Sequence, residues 1–335
     1  MSQPSTSNKV LTLAETLMVW VKIGLLSFGG PTGQIALMHR ELVEKRRWIS
    51  DRRFLHALNY CMLLPGPEAQ QLAIYTGWLL QRTLGAVIAG LLFVLPGALF
   101  IGVISYAYVA FGDLPLLQAI FYGLKPAVLA IVAAAMIRMS QKILAKPLLW
   151  LISALAFIGI FFLNLPFPLI VLSALSFGIF ASYWYPQWLQ TNGKSGVEQN
   201  PDPVVETNYL ISDSSAAATR PTLAKTLKTV ALWTIVWTAP LIIVLVALGR
   251  GHILTEQALF FARAALVTFG GAYAVLPYVA QQAVEHHGWI SATQMVDGLG
   301  LAETTPGPLI LVLQFVGFVG GWQHPESFSP LVTAV

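Results

Sequence analysis

The chain has 335 residues, of which 56% are hydrophobic and only 10% are charged, and its formal net charge is +4. A soluble domain carries about 25% charged residues. This composition, with a mean hydropathy of +0.70, therefore excludes an ordinary soluble protein and indicates a polytopic membrane protein. The small positive charge does not predict a nucleic-acid partner, and the single cysteine, Cys61, excludes an internal disulfide and a cysteine-based metal site.

The first part of the chain contains two apolar regions that are each interrupted near the middle. Residues 15–38 are broken by the segment Phe28–Gly33, and residues 57–80 are broken by the segment Pro65–Pro67. The polar stretch 40–53 lies between the two regions. Because glycine and proline interrupt helices, each region is predicted to form two helical pieces.

Uninterrupted apolar stretches follow, and about 20 helical residues are enough to cross the hydrocarbon core of a bilayer. The predicted spans are residues 84–110, 116–137, 147–163, 166–185 and 229–248. Residues 186–228 are instead rich in Ser, Thr, Asn, Gly, Pro and charge, and are predicted to form a flexible cytoplasmic linker. Two further broken regions are present at residues 256–284 and 299–320.

The later broken regions repeat the earlier ones at a constant offset of 241 residues. Phe28-Gly29-Gly30 recurs as Phe269-Gly270-Gly271, Trp48-Ile49-Ser50 as Trp289-Ile290-Ser291, and Pro65-Gly66-Pro67 as Pro306-Gly307-Pro308. Three tripeptides that keep one offset without a gap indicate an internal duplication. In a very apolar chain, such a duplication is typical of transporters.

The duplication predicts three parts: a first repeat over residues 1–185, the linker 186–228, and a final part over residues 229–335. The final part holds one extra span and an incomplete second repeat. By the same offset Val335 aligns with Val94, inside the first long span of repeat one. The sequence thus predicts a second repeat that is either truncated or degenerate, and truncation is favoured.

The two copies differ in charge in a way that predicts opposite orientations. The stretch 40–53 carries Arg40, Lys45, Arg46, Arg47, Arg52 and Arg53, whereas its counterpart, 281–294, carries no Lys or Arg. Because cytoplasmic loops are enriched in Lys and Arg, the first loop is predicted to be cytoplasmic and the second external. The predicted fold class is all-α, a polytopic integral membrane protein with two inverted-topology repeats and broken or re-entrant helices.

The broken regions allow two topologies. They are either ordinary kinked spans or re-entrant hairpins that return to the side from which they started. Re-entrant hairpins fit the charges better, because they leave Arg82 on the same side as the basic stretch 40–53.

Irregular backbone at membrane depth survives only where it is buried in protein or lines a polar cavity, and a half-helix N-terminus there presents free N–H groups to an anion. The breaks are therefore candidate anion-binding sites; the alternative is that their glycines only permit close helix packing. Lys22 and Arg263 are equivalent cations six positions before the Phe-Gly-Gly segments. They either face the ligand or extend to the membrane interface.

The predicted substrate-binding residues lie in the breaks and beside them. They are Lys22, Phe28, Gly29, Gly30, Pro65, Gly66, Pro67, Glu68, Gln71, Arg263, Phe269, Gly270, Gly271, Glu303, Pro306, Gly307 and Pro308. Glu68 and Glu303 either bind a proton, pair with a cation or face water, and Gln71 is a neutral donor for an oxyanion. No spacing predicts a metal site, a cofactor, a catalytic group or a nucleotide-binding loop.

These motifs resemble those of the chromate ion transporter family. The resemblance rests on Phe28–Pro31, Trp48–Ser50 and Leu64–Leu72 in the first copy, and on Phe269–Tyr273, Trp289-Ile290 and Glu303–Pro308 in the second. It covers nearly the whole chain, in the long-chain form that fuses two homologous halves. The resemblance implies a multi-pass inner-membrane protein that exports chromate and confers chromate resistance. The chain departs from that form by lacking the remaining spans of its second half.

The predicted function is therefore a secondary transporter that exports chromate across the bacterial inner membrane, and not an enzyme. Two alternatives are a transporter of another oxyanion, such as sulfate or molybdate, and a membrane enzyme that acts on lipid phosphates. The enzyme would need a His, Asp or Ser cluster at one depth, which the scattered histidines do not supply. The expected partners are chromate or a similar tetrahedral oxyanion and the lipid bilayer, with a homodimer as one option and no nucleic acid.

Inverted repeats predict that the two equivalent loops face opposite sides of the membrane. In a variant that lacks Cys61, one cysteine is introduced as Arg47→Cys or as His287→Cys. We expect a membrane-impermeant maleimide to label position 287 in intact cells and position 47 only in everted vesicles, because the basic loop is cytoplasmic. Labelling of both positions from the same side would contradict the inversion.

Overall fold

The structure is a computed structural model that describes residues 11–112, 114–144, 147–163, 165, 167–184, 209–211, 222–268, 272–326 and 328–334. The described residues form helices joined by turns, and the β-bridge between Ile49 and Ile211 is isolated. The predicted all-α fold class is therefore confirmed. Among the residues predicted to form the site, Phe269, Gly270 and Gly271 lie outside the described ranges, as does most of the linker.

The helices of the first copy and the spans that follow it are bounded as follows. They are α1 (Leu13–Leu26), α2 (Gly30–His39), a π-helical turn (Arg40–Lys45), α3 (Asp51–Met62), α4 (Glu68–Phe111), α5 (Pro115–Ile143), α6 (Pro147–Phe161) and α7 (Phe167–Trp184). The first break separates α1 from α2, and the second separates α3 from α4.

The second broken segment has the same order of elements. After α8 (Leu223–Leu248) come α9 (Ile253–Val267), α10 (Ala272–Ala280), a π-helical turn (Gln281–His286), α11 (Ala292–Thr304), a 3₁₀ turn (Leu309–Leu311), α12 (Val312–Gln323) and α13 (Pro330–Ala334). The two π-helical turns occupy equivalent positions at the offset found in the sequence.

The repeated Trp-Ile-Ser motif accounts for where the third helix of each copy begins. The Ser50 hydroxyl accepts the N–H of Arg53 at the start of α3, and the Ser291 hydroxyl accepts the N–H of Gln294 at the start of α11. Such a cap satisfies a backbone donor that has no partner within the helix. The preceding tryptophan and isoleucine are buried in both copies, so the motif fixes the loop to the helical core.

Helices α1 and α2 form a hairpin. Lys22 precedes Phe28 by six residues and Glu41 follows Gly30 by eleven, so a helix that continued in one direction would separate them by about 28 Å. Instead, the Lys22 ammonium lies 3.0 Å from the Glu41 carboxylate. The chain therefore doubles back at the break, as a re-entrant segment requires.

The long helix α4 also doubles back. Gln81 and Arg82 depart from helical dihedrals, with Arg82 at φ 55°. On either side, Gly77 and Gly85 pack so closely that a methyl group on either one would lie within 2.4 Å of the other's carbonyl oxygen. Residues 68–80 are thus a first arm that returns from the second break, and residues 83–111 are a second arm.

The described helices carry the apolar surface that the composition predicts. Helices α4 and α8 are long and apolar enough to cross a membrane, and α6 and parts of α7 and α12 are shorter apolar helices. A helix covers each of the five stretches predicted as spans, within the residues described. No residue of α8 is buried, although the helix is strongly apolar, which suits a helix that faces lipid.

The described residues divide into two compact units. One contains residues up to 125 and from 205 onward, and therefore both broken segments; the other contains residues 126–204. Within the second unit, α6 and α7 pack at Gly159, where a methyl group would lie 3.3 Å from Ile170. The two units are distinguished by packing density. They do not test the predicted repeat boundaries, which stay a prediction.

Candidate functional site

The breaks of the two copies are joined by an exchanged pair of hydrogen bonds. The N–H of Gly66 donates to the carbonyl of Thr268 at 2.6 Å, and the N–H of Gly307 donates to the carbonyl of Ser27 at 2.9 Å. Gly66 is equivalent to Gly307, and Ser27 to Thr268. An exchange in which i contacts j and j contacts i is the mark of a twofold relation. Each Pro-Gly-Pro break therefore contacts the end of the helix before the Phe-Gly-Gly segment of the other copy.

Glycine is needed at both donors for conformational reasons. Gly66 has a φ of +116° and Gly307 a φ of +102°, values that L side chains rarely adopt. The second break is also tightly packed, because a methyl group on Gly97 of α4 would lie 2.1 Å from the Pro306 carbonyl oxygen. The Pro-Gly-Pro motif therefore sets a backbone shape that presents one N–H to the other copy.

The acceptor carbonyls lie where α1 and α9 end. The Ser27 hydroxyl donates to the Ile23 carbonyl at 2.5 Å, and the Thr268 hydroxyl donates to the Ala264 carbonyl at 2.6 Å. Both side chains thus satisfy a carbonyl in the last turn of the helix, where no backbone donor is available. The buried side-chain amide of Gln34 also donates a hydrogen bond to the Gly307 carbonyl at 2.6 Å.

A carboxylate and a phenol lie beside the exchanged hydrogen bonds of the two breaks. Tyr273, in the first turn of α10, donates from its hydroxyl to Glu303 at 2.7 Å. A methyl group on Gly30 would lie 3.2 Å from the same hydroxyl oxygen. The predicted residues Gly30 and Glu303 are therefore brought together through Tyr273, and Gln34, on the same helix as Gly30, contacts Gly307.

The helix starts at the first-copy breaks have no side-chain cap. Gly29 is the N-cap of α2, and Pro67 is the N-cap of α4, so α4 begins at Glu68, one residue later than the sequence indicated. Phe28, Gly29 and Pro65 are exposed, whereas Pro306–Pro308 are buried. Among the breaks that the structure describes, the uncapped N–H groups that an anion could reach are therefore those of the first copy.

Lys22 belongs to a charged cluster around Glu41. The Glu41 side chain is 0% exposed, and its carboxylate pairs with Lys22 at 3.0 Å, with Lys45 at 3.0 Å, and with Arg46. Burial alone raises the pKa of this carboxyl, but the hydrogen bonds from Lys45, Lys22 and Arg46 outweigh burial and lower the pKa to about 2. Three cations around one carboxylate leave the cluster positive.

The remaining predicted residues have more local roles. The Gln71 amide donates to the Pro65 carbonyl at 2.6 Å and so holds the break rather than projecting from it. Glu68 starts α4, where a negative charge suits the helix dipole, and its Oε2 has no hydrogen-bond partner among the described residues. Arg263 has an exposed side chain on α9, and no carboxylate within the described ranges pairs with it.

Five residues of these contacts were not predicted to belong to the site: Ser27, Gln34, Glu41, Thr268 and Tyr273. Ser27 and Thr268 precede the two Phe-Gly-Gly motifs and align with each other, so the alignment of the copies could have identified both. The other three align with Val275, Gln282 and Thr32, and a search for residues shared by both copies cannot find them.

Comparisons with known proteins agree with the duplicated organisation. The sequence model of the chromate transporter family matches residues 14–179 and 255–324, two segments whose starts differ by the offset that separates the repeated motifs. No solved structure gives a significant match.

Several curated relatives are similar along most of the chain. The chromate transport protein of Cupriavidus metallidurans is 30% identical over 92% of this chain and 68% of its own length. The chromate transport protein of Pseudomonas aeruginosa is 34% identical over 90% of this chain and 65% of its own length. The probable chromate transport protein of Synechococcus elongatus is 29% identical, with coverages of 92% and 69%. The chain thus spans about two thirds of the length of these relatives.

The exchanged hydrogen bonds predict that Gly307 cannot be replaced. Gly307→Ala should lower the free energy of unfolding by about 2–3 kcal/mol, because a side chain is strained at this φ and would lie 3.0 Å from Leu311. The matched control is Gly288→Ala, at φ +63° with open space around it, where the equivalent residue is Arg47 at φ 53°. We expect a loss of about 1–2 kcal/mol there, from the left-handed backbone conformation alone. Equal losses in thermal unfolding of the detergent-solubilised variants would contradict the role given to the break.

The Glu41 cluster predicts a large effect from one neutral substitution. Glu41→Gln should lower the free energy of unfolding by about 3 kcal/mol, because three cations lose their shared buried carboxylate. Glu44→Gln, on the same π-helical turn but with its side chain 59% exposed, should cost less than about 0.5 kcal/mol.

The lowered pKa of Glu41 adds a pH dependence to this prediction. Since the pKa of Glu41 in the folded protein lies below the ordinary value of 4.5, the stabilisation is complete above that value and is lost as the pH falls toward 2. Glu41→Gln should therefore flatten the acid limb of an unfolding curve measured over this range. An unchanged acid limb would show that Glu41 is not the group responsible.

Proposed function

The chain belongs to the chromate transporter family, and from this we propose that it is a secondary transporter that exports chromate across the bacterial inner membrane and so confers chromate resistance. Family membership makes it a membrane protein. Export, resistance, a multi-pass inner-membrane location and chromate itself as the cargo are parts of the proposal, since the chain spans about two thirds of the relatives whose names mention chromate.

The observation that carries the proposal is the exchanged pair of hydrogen bonds between the breaks. It brings two Gly- and Pro-interrupted hairpins together, and interrupted helices in duplicated membrane proteins commonly form the substrate site. The N–H groups of Gly66 and Gly307 are used to join the copies. The donors left for an oxyanion are the uncapped first turns of α2 and α4, beside Gly29 and Pro67.

The charges near the first copy favour an anionic cargo. Lys22, Lys45 and Arg46 surround the single negative charge of Glu41, so the net charge of the cluster is +2. Such a surplus raises the local concentration of a dianion before it reaches the breaks. Lys22 therefore acts in recruitment, together with its neighbours, while the backbone at Gly29–Gly30 and Pro67–Glu68 provides the contacts deeper in the fold.

The membrane potential supplies enough energy for export. At about 100 mV, inside negative, each expelled negative charge gains roughly 2.3 kcal/mol. A dianion that crosses without a proton gains about 4.6 kcal/mol, which supports a concentration ratio of more than about a thousand at 1.4 kcal/mol per tenfold step. ATP is not needed for transport in this direction. The partners of the proposed transporter are a tetrahedral oxyanion and the bilayer, with a homodimer as one assembly.

Uptake of labelled chromate into everted vesicles tests this function. An inside-positive potential should drive chromate into vesicles that contain the protein and not into vesicles without it. Gly66→Ala and Gly307→Ala should reduce the initial rate at least tenfold at equal protein content, while Gly288→Ala should stay within twofold of the wild type. Wild-type vesicles that do not accumulate chromate would contradict the proposal.

Competition identifies the cargo within the oxyanions. A chromate transporter should keep most of its uptake in the presence of a hundredfold excess of sulfate or molybdate. If either anion suppresses chromate uptake at equal concentration and is itself concentrated, the cargo is the broader oxyanion class. The same vesicles therefore separate a failure of the substrate assignment from a failure of the transport assignment.

A further inference from the structure

A buried carboxylate lies outside both pairs of breaks. The Asp297 side chain, on α11, is only 4% exposed. The Tyr108 hydroxyl, on the second arm of α4, donates to its Oδ2 at 3.0 Å, and the Lys125 ammonium, on α5, lies 3.6 Å from its Oδ1. Three elements thus contribute one polar or charged group each to a cluster surrounded by apolar helices.

The two oxygens of this carboxylate are not equally satisfied. Oδ2 accepts the phenol, whereas Oδ1 is inaccessible and has no hydrogen-bond partner among the described residues. The ammonium at 3.6 Å attracts Oδ1 by charge, at a separation too long for a good hydrogen bond. Burying an ionised carboxylate with one unsatisfied oxygen is costly, so this atom is a favourable place for a proton.

The surroundings strengthen that cost. The Tyr108 ring meets Phe121 edge-on at 4.8 Å and Phe315 at 5.3 Å. Phe315 also lies against Gly298, where a methyl group would be 2.4 Å from its ring. Within the described ranges, Tyr108 from α4 and Lys125 from α5 are the titratable groups that contact Asp297, and α12 contributes the apolar Phe315.

Lys125 extends from the buried carboxylate to the surface of the described helices, since its side chain is 37% exposed. Asp297 is in the second turn of α11, and Tyr108 is three residues before the end of α4. If the loop before α11 is external, as the charges predict, the cluster lies in the outer part of the membrane.

We propose that Asp297, Tyr108 and Lys125 form a proton-binding site that couples proton movement to the transport of the anion. Oδ1 of Asp297 takes a proton from water, the carboxyl group becomes neutral, and the ion pair with Lys125 is released. The cluster then changes from neutral to a charge of +1, and the freed ammonium attracts an oxyanion. By linkage, proton binding and anion binding strengthen each other. This coupling rests on the proposed function, but proton binding at Asp297 does not.

Infrared titration of the full chain in lipid nanodiscs tests proton binding directly. The carbonyl stretch of a protonated, isotope-labelled aspartic acid should appear as the pH falls and should be absent in Asp297→Asn. Tyr108→Phe keeps the ring in the core and removes one hydrogen bond to the ionised form, so proton binding should become about tenfold tighter. Lys125→Met should shift the titration in the same direction. The matched control is Asp51→Asn, whose side chain is 57% exposed and which should leave the band unchanged.

Two results would overturn the site. The first is a band that Asp297→Asn leaves intact, and the second is a titration that neither Tyr108→Phe nor Lys125→Met shifts. If Asp297→Asn does not fold, Asp297→Glu keeps the carboxyl, and the shifts in the Tyr108 and Lys125 variants still decide the question.

Coupling is then measured in vesicles that contain a pH-sensitive dye. Wild-type protein should move protons together with the oxyanion, while Tyr108→Phe should shift the pH profile of anion transport and Asp297→Asn should move the anion without protons. Proton movement that persists in Asp297→Asn would overturn the coupling. If the wild type moves no anion at all, the proposed function fails, and the infrared titration separately decides whether Asp297 binds a proton.

Discussion

The fold depends on satisfying the backbone groups that each break releases. A helix interrupted away from water leaves N–H and carbonyl groups without partners, and each must find one inside the protein. Here the two copies supply partners to each other, with Gly66 bonded to Thr268 and Gly307 to Ser27. Each copy thus satisfies a backbone group of the other, and the uncapped starts of α2 and α4 follow the first-copy breaks that take part in this exchange.

The two copies differ in exposure and charge at the breaks that these hydrogen bonds join. In the first copy, Phe28, Gly29 and Pro65 are exposed, and the adjoining π-helical turn holds three cations around Glu41. In the second copy, Pro306–Pro308 are buried against α4, and the equivalent π-helical turn has no lysine or arginine. Within the described residues, the first-copy breaks are thus the more accessible ones, and they lie beside the more basic of the two π-helical turns.

The sequence predicts well what the copies share and poorly what they do not. Gap-free motifs located the breaks, and the start of α4 to within one residue, because those features follow from backbone chemistry that both copies need. Gln34, Glu41, Tyr273 and Asp297 were missed because they align with Val275, Gln282, Thr32 and His56. Their importance arises from contacts between distant segments, such as Tyr273 with Glu303 and Asp297 with Tyr108, which no spacing along the chain encodes.

These unshared residues have a further consequence if the proposed transport is correct. With two identical inverted copies, exchanging their conformations would convert an inward-facing state into an outward-facing state of equal free energy, and the protein alone would favour neither. The charged groups break this equality. In the first copy, Glu41 on the π-helical turn forms an ion pair with Lys22 on α1, and the second copy has Gln282 at the equivalent position. In the second copy, Asp297 on α11 contacts α4 and α5, and the first copy has His56 at the equivalent position. In the proposed proton-binding cycle Asp297 loses its charge, whereas Glu41, with a pKa of about 2, stays ionised, so the contact made by Asp297 is the one that this cycle changes. The relative free energy of the inward-facing and outward-facing states would then depend on the protonation of Asp297. The exchanged hydrogen bonds between the breaks would lie on the path between the two states.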